Sequence, residues 1–110
     1  MINNIDSMIK WASGFVDGEG YIQYKQEPYK RIRIEVCNTD FAPIEILHDL
    51  FGGKVYDRKP RVSAIGTITK PQKMWVALNE ECYEACQSML PYLTTEKRIA
   101  TATQILNHYE

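Results

Sequence analysis

Long apolar runs are missing from this chain of 110 residues. Nowhere do 18 apolar residues follow one another, so a membrane-spanning helix is excluded and no membrane partner is expected. The first residues, Met1-Ile-Asn-Asn-Ile-Asp6, lack the basic start and apolar stretch of a signal peptide, which leads us to expect a cytoplasmic or nucleoid-associated protein. Cysteine is sparse and odd in number. Cys37, Cys82 and Cys86 have no C-x-x-C spacing, which favours neither a disulfide framework nor a zinc site and leaves reduced, buried thiols as the expectation. Cys82 and Cys86 stand at i, i+4, as a core stripe on a helix would require. Repeats, low-complexity tracts and linkers are absent too. The length suits one domain, residues 1–110, with a real core, and leaves no room for a second.

Net charge is also nearly absent, at −1. Spread evenly, that balance would argue against nucleic acid, but it is not even. Residues 20–75 carry ten basic and six acidic side chains, a net +4, and the remainder holds −5. A basic surface on a weakly acidic protein is what a phosphate backbone would meet.

Apolar spacing from Met8 to Val16 predicts a helix over residues 7–18, with Asp6 or Ser7 as its N-cap. Tyr21–Glu27 and Arg31–Cys37 alternate and read as an antiparallel hairpin about a turn at Pro28-Tyr-Lys30. Asp40 opens a second helix, which Gly52-Gly53 stops. Lys54–Arg58 and Lys73–Leu78 read as two further strands, with a loop between them that includes a short strand near Val62–Ile68. Asn79 would cap a third helix ended by Pro91, and Thr94 or Thr95 would open a fourth. The order is αββαββαα, an α+β chain.

The most informative stretch is Trp11-Ala-Ser-Gly-Phe-Val-Asp-Gly-Glu-Gly20. Glycine in a helix interior costs roughly 1 kcal/mol relative to alanine, so Gly14 and Gly18 need a reason. Four residues apart, they share one helix face, where a second backbone is able to come close. Two copies meeting there would bring carboxylates together, an arrangement that calls for divalent cations.

With the flanks Val36-Cys-Asn-Thr-Asp40, Phe51-Gly-Gly53 and Leu90-Pro-Tyr-Leu93, the segment Ala12–Gly20 resembles the signature of the LAGLIDADG homing endonucleases. The likeness covers the whole chain and implies a single-motif, homodimer-type member. It implies a LAGLIDADG homing-endonuclease-like fold, a saddle-shaped four-stranded antiparallel sheet lying on double-stranded DNA. Two copies would pair through the 7–18 helix, with Trp11, Gly14, Phe15, Asp17 and Gly18 at the interface and Asp17 in a capping role. Glu19, helped by the Gly18 carbonyl, would hold Mg2+, with Mn2+ or Ca2+ able to substitute in binding. Asn38 would help to position water.

Sequence reading would fall to Tyr21, Gln23, Lys25, Arg31, Arg33, Glu35, Tyr56 and Arg58. Arg61 and Lys73, with Lys54, Lys59 and Lys70, would touch phosphates. The resemblance implies a metal-dependent double-strand cut in a long pseudo-palindromic target, by an enzyme of an intron or other mobile element, organellar if the intron is. One position departs from the pattern. Where active members carry a lysine near the start of the last helix this chain has Glu96, which leaves Lys97 or Arg98 to serve. The alternative is a cleavage-deficient or nicking relative, a DNA-binding regulator or a maturase that binds RNA.

Overall fold

The computed structural model describes residues 4–60, 62, 64–68 and 70–110. Its elements are α1 (Ile5–Glu19), β1 (Gly20–Lys25), β2 (Arg31–Asn38), α2 (Phe41–Phe51), β3 (Lys54–Arg58), β4 (Gln72–Leu78), α3 (Asn79–Met89), a 3-10 turn at Leu90–Tyr92, and α4 (Glu96–Tyr109). The four strands form one antiparallel sheet in the order β1-β2-β4-β3. The helices cover one face of it, and the molecule is only 23 Å thick. No helix among the described residues is long and apolar enough to cross a membrane.

Strand alternation decides which face is covered. Ile22, Ile32, Ile34, Val36, Trp75 and Ala77 point into the core, where Ala12 and Val16 of α1, Ile44 and Leu47 of α2, Cys82, Cys86 and Met89 of α3, and Ile105 of α4 meet them. Each large apolar side chain removed from water there contributes about 1.5–3 kcal/mol. The thiols of Cys82 and Cys86 are free and buried as the spacing suggested, and contact with Cys86 together with burial pushes the Cys82 thiol far up.

The turn after α2 is fixed by two glycines. Gly52 and Gly53 have φ of 74° and 86°, and a Cβ on Gly53 would lie 2.5 Å from the Val76 carbonyl oxygen. The Gly52 carbonyl accepts from Trp75 Nε1 at 2.8 Å, and the Gly53 N–H donates to Glu81 at 2.8 Å. Left-handed backbone in a crowded corner leaves no room for another residue.

Two helix starts differ from expectation, and a third is capped in an unexpected way. Asn4, not Asp6 or Ser7, caps α1, its side chain accepting from the N–H groups of both. Asn79 does not cap α3; it lies at φ 52°, and that helix begins without a side-chain cap. Thr95 is the N-cap of α4 but makes no capping bond with its own side chain. Where a short strand was expected near Val62–Ile68, the described residues show an antiparallel bridge between those two.

Candidate nucleic-acid interface and carboxylate site

Register places one set of side chains on the sheet face that no helix covers. Tyr21 is opposite Glu35, Gln23 opposite Arg33, and Lys25 opposite Arg31. Across β2, Arg33 faces Leu78, Glu35 faces Val76 and Cys37 faces Met74, and β3 adds Lys54, Tyr56 and Arg58. Opposed residues of an antiparallel pair share a face, so Tyr21, Gln23, Lys25, Arg31, Arg33, Glu35, Tyr56 and Arg58 form one polar surface. Two of its buried atoms, Gln23 Oε1 and Arg33 Nε, have no hydrogen-bond partner. Buried polar atoms left unpaired cost about 1–3 kcal/mol each, a cost that an incoming donor or acceptor would offset.

Sequence reasoning missed the apolar strip of Met74, Val76 and Leu78 through the middle of this surface. Alternation about the inward Trp75 was the signal for it. The same alternation takes Lys73 away. It lies on the helix side of the sheet, its Nζ 2.9 Å from Glu45 Oε1 and over the Phe41 ring. The Glu45 hydrogen bond and charge raise its pKa above the usual lysine value. Lys73 therefore does not join the surface on which a phosphate contact was expected. Arg61 lies outside the described residues.

The α1 face bearing the glycines is open. A Cβ at Gly14 or Gly18 would meet nothing within 4 Å, and beside them Trp11, 37% exposed, stacks on Phe15 at 5.3 Å. Glycine here is not required by packing inside the chain, in contrast to Gly20, whose Cβ would lie 2.9 Å from Val16.

The two acids at the end of α1 part company. Asp17 turns inward: its Oδ2 accepts from the Thr94 N–H at 2.8 Å and hydroxyl at 2.9 Å, and Oδ1 from the Thr95 N–H at 3.1 Å. It thereby satisfies N–H groups just ahead of α4, a helix start without its own capping side chain. Burial alone would raise its pKa, but the Thr94 and Thr95 hydrogen bonds outweigh it and hold the carboxyl below the usual value. Within its own chain, then, Asp17 serves the start of α4.

Glu19 is exposed and takes no part in the hydrogen bonds or ion pairs of the described residues. It ends a helix that has no basic residue in its last turn, where the helix dipole disfavours a carboxylate. The last carbonyls of α1 lie beside it, so hard oxygen donors of the type that magnesium takes are gathered there. Nowhere among the described residues do three or more His, Cys, Asp or Glu side chains come together as a metal site. Glu19 and the adjoining carbonyls are oxygen donors of the kind a divalent cation takes, in number too few to enclose one by themselves.

Asn38 and Lys97 stand at this same end of the molecule. The β2 strand runs past the Gly20–Val36 pair to Asn38, whose Oδ1 accepts from the Asp40 N–H at 2.8 Å and holds the turn into α2. Lys97 lines a small cleft with Gly20, Tyr21, Ile22, Arg98 and Thr101. Arg98 donates through Nε and Nη2 to the Gly20 carbonyl at 3.2 and 2.7 Å. Its guanidinium thus ties α4 to β1, while Lys97 beside it in the cleft makes no such tie. Comparison with protein-family models and with curated proteins gives no match for this chain.

Proposed function

We propose that the chain is a LAGLIDADG-type homing endonuclease that hydrolyses both strands of a pseudo-palindromic DNA target as a Mg2+-dependent homodimer. One observation carries the reading. An unpartnered carboxylate, Glu19, ends a helix face left smooth by Gly14 and Gly18, and that end adjoins a broad sheet face of arginine, lysine, glutamine and tyrosine. Each part has a use in the dimer. Facing glycines let two α1 helices approach, which brings the two Glu19 side chains to a common place and supplies the donors a single chain lacks.

Glu19 and the Gly18 carbonyl would hold the metal against the scissile phosphate. Bound Mg2+ would lower the pKa of a water and offset charge growing on the phosphate. Lys97, in the cleft beside Gly20, would donate to that charge as it develops. Asn38 keeps its side-chain N–H groups free of the Asp40 contact and would orient the water. On the sheet face, Arg31, Arg33 and Arg58 can donate to guanine, Gln23 can pair with adenine and Glu35 can accept from cytosine.

The test uses the protein with DNA that spans the insertion site of its own gene. With Mg2+ or Mn2+ the duplex is expected to be cut on both strands, and Glu19→Gln is expected to bind as tightly without cutting. Tight, specific binding without cleavage by the parent protein would sink the nuclease and leave a DNA-binding regulator. Preference for the intron RNA over the duplex would point instead to a maturase.

A further inference from the structure

Residues 59–71 join β3 to β4, and the described ones among them add nothing to the core. Every described residue from Lys59 to Pro71 is exposed, including three large apolar ones: Val62 at 70%, Ile65 at 88% and Ile68 at 68%. Val62 and Ile68 are directly opposed in an antiparallel bridge, so their side chains share a face of the ribbon. Ile65 sits in the turn between them, next to Gly66 at φ 83°. Single exposed apolar residues are ordinary, but three on one short ribbon form a patch that calls for a partner.

Charge says which partner. Residues 58–71 include Arg58, Lys59, Arg61 and Lys70 and not one acid. Position agrees. Arg58 pairs with Gln72 and Asn38 with Lys73, while Gly20 pairs with Val36. The ribbon therefore leaves the sheet at the end where α1 delivers Glu19, not at the end that carries the β1–β2 turn. It also continues directly from the polar surface, through Tyr56 and Arg58.

We propose that this ribbon is a DNA-deforming arm. Lys59 and Lys70 hold phosphates, while Ile65, at the tip beyond the Val62–Ile68 bridge, presses between base steps at the Glu19 end of the sheet but across its β3–β4 edge. Apolar wedges of this kind partly unstack a step and kink the duplex, and a kink there would bend the DNA across the open sheet face. A second copy of the arm is a poorer occupant, since two acid-free basic ribbons repel one another. The proposal rests on the DNA-binding reading above, and its test separates the two.

The probe is a set of duplexes enriched from randomised DNA by binding to the full chain, labelled at both ends for energy transfer. The parent protein is expected to bend them by about 20–90°. The variant Val62→Ser/Ile65→Ser/Ile68→Ser, with an unchanged melting curve, should bind about tenfold more weakly, leave the duplex nearly straight and keep the same salt dependence. The variant Lys59→Gln/Lys70→Gln should reduce the log–log salt slope by about two. An unaltered bend in the serine variant overturns the arm while DNA binding stands. So does a serine variant that turns monomeric with the bend intact, which would assign the ribbon to a contact between copies. A parent protein that enriches no duplex at all overturns both.

Discussion

Replacing Asp17 by asparagine keeps the shape of the side chain and removes its charge and one acceptor oxygen. In the folded chain that carboxylate takes three hydrogen bonds, from the Thr94 N–H, the Thr94 hydroxyl and the Thr95 N–H. Asparagine forfeits about one of them, worth roughly 0.5–1.5 kcal/mol. It also gives up the attraction of a negative charge for the N-terminal end of α4, roughly 0.3–1 kcal/mol for a partly exposed group. The cost is therefore about 1–2 kcal/mol. For a chain of 110 residues, each kcal/mol corresponds to roughly 4 °C in melting temperature, so Asp17→Asn should melt roughly 4–8 °C lower at neutral pH. The pH dependence distinguishes this account from simple loss of packing. Hydrogen bonding holds the folded pKa below the 3.8 of a free aspartate. The carboxylate's contribution is then complete above the unfolded value and is lost as pH falls through the folded one. Melting curves of the parent and the variant should converge in that acidic window. A gap that stays constant into acid, or no gap at neutral pH, would refute the capping role.

At the open helix face, Gly14→Leu and Gly18→Leu meet no atom of their own chain within 4 Å. They should leave the protomer folded but yield monomers by light scattering; a persistent dimer would place the seam elsewhere. Lys73→Ala should leave duplex affinity and its salt slope unchanged, because Lys73 is held by Glu45 behind the sheet. By contrast, Lys54→Ala on the open face should lower the slope by about one. Equal effects from these two in a filter-binding titration would contradict the assignment of faces.

The helices and strands were legible because their signals are local. Alternation at Ile32, Ile34 and Val36, and the double glycine after Phe51, declare themselves within a few residues. Lys73 shows a signal that was present but unread: it shares strand parity with Trp75 and Ala77, both fully buried, and that parity sends it to the helix side. The Asp17–Thr94 contact joins residues 77 apart, and no local pattern names such a partner. The start of α4 at Thr95 was legible, but not that Asp17 of another helix would bond its N–H. The polar face was readable residue by residue, but its apolar centre emerged only once β4 was seated between β2 and β3.

Asp17 and Glu19 pose one electrostatic problem and receive two answers. Both are carboxylates at the C-terminal end of a helix, where the dipole is negative and no basic residue compensates. For Asp17 the chain supplies the remedy itself, by bringing the positive end of α4 against it. That contact also fixes Lys97 and Arg98, and Arg98 in turn grips the Gly20 carbonyl, so the last turn of α1, the start of β1 and the start of α4 are tied at one point. Glu19 lies between these ties and is left without a partner. A carboxylate held at a well-braced position, with its own helix opposing its charge, would on the proposed reading take a cation from outside the chain. The open glycine face beside it admits a second copy that would bring an equivalent acid. The bracing by Asp17 therefore bears on cleavage as well as on stability: Asp17→Asn should slow a Glu19-dependent cut by more than its modest loss of folding free energy implies, because it loosens Lys97 from the place where charge would develop.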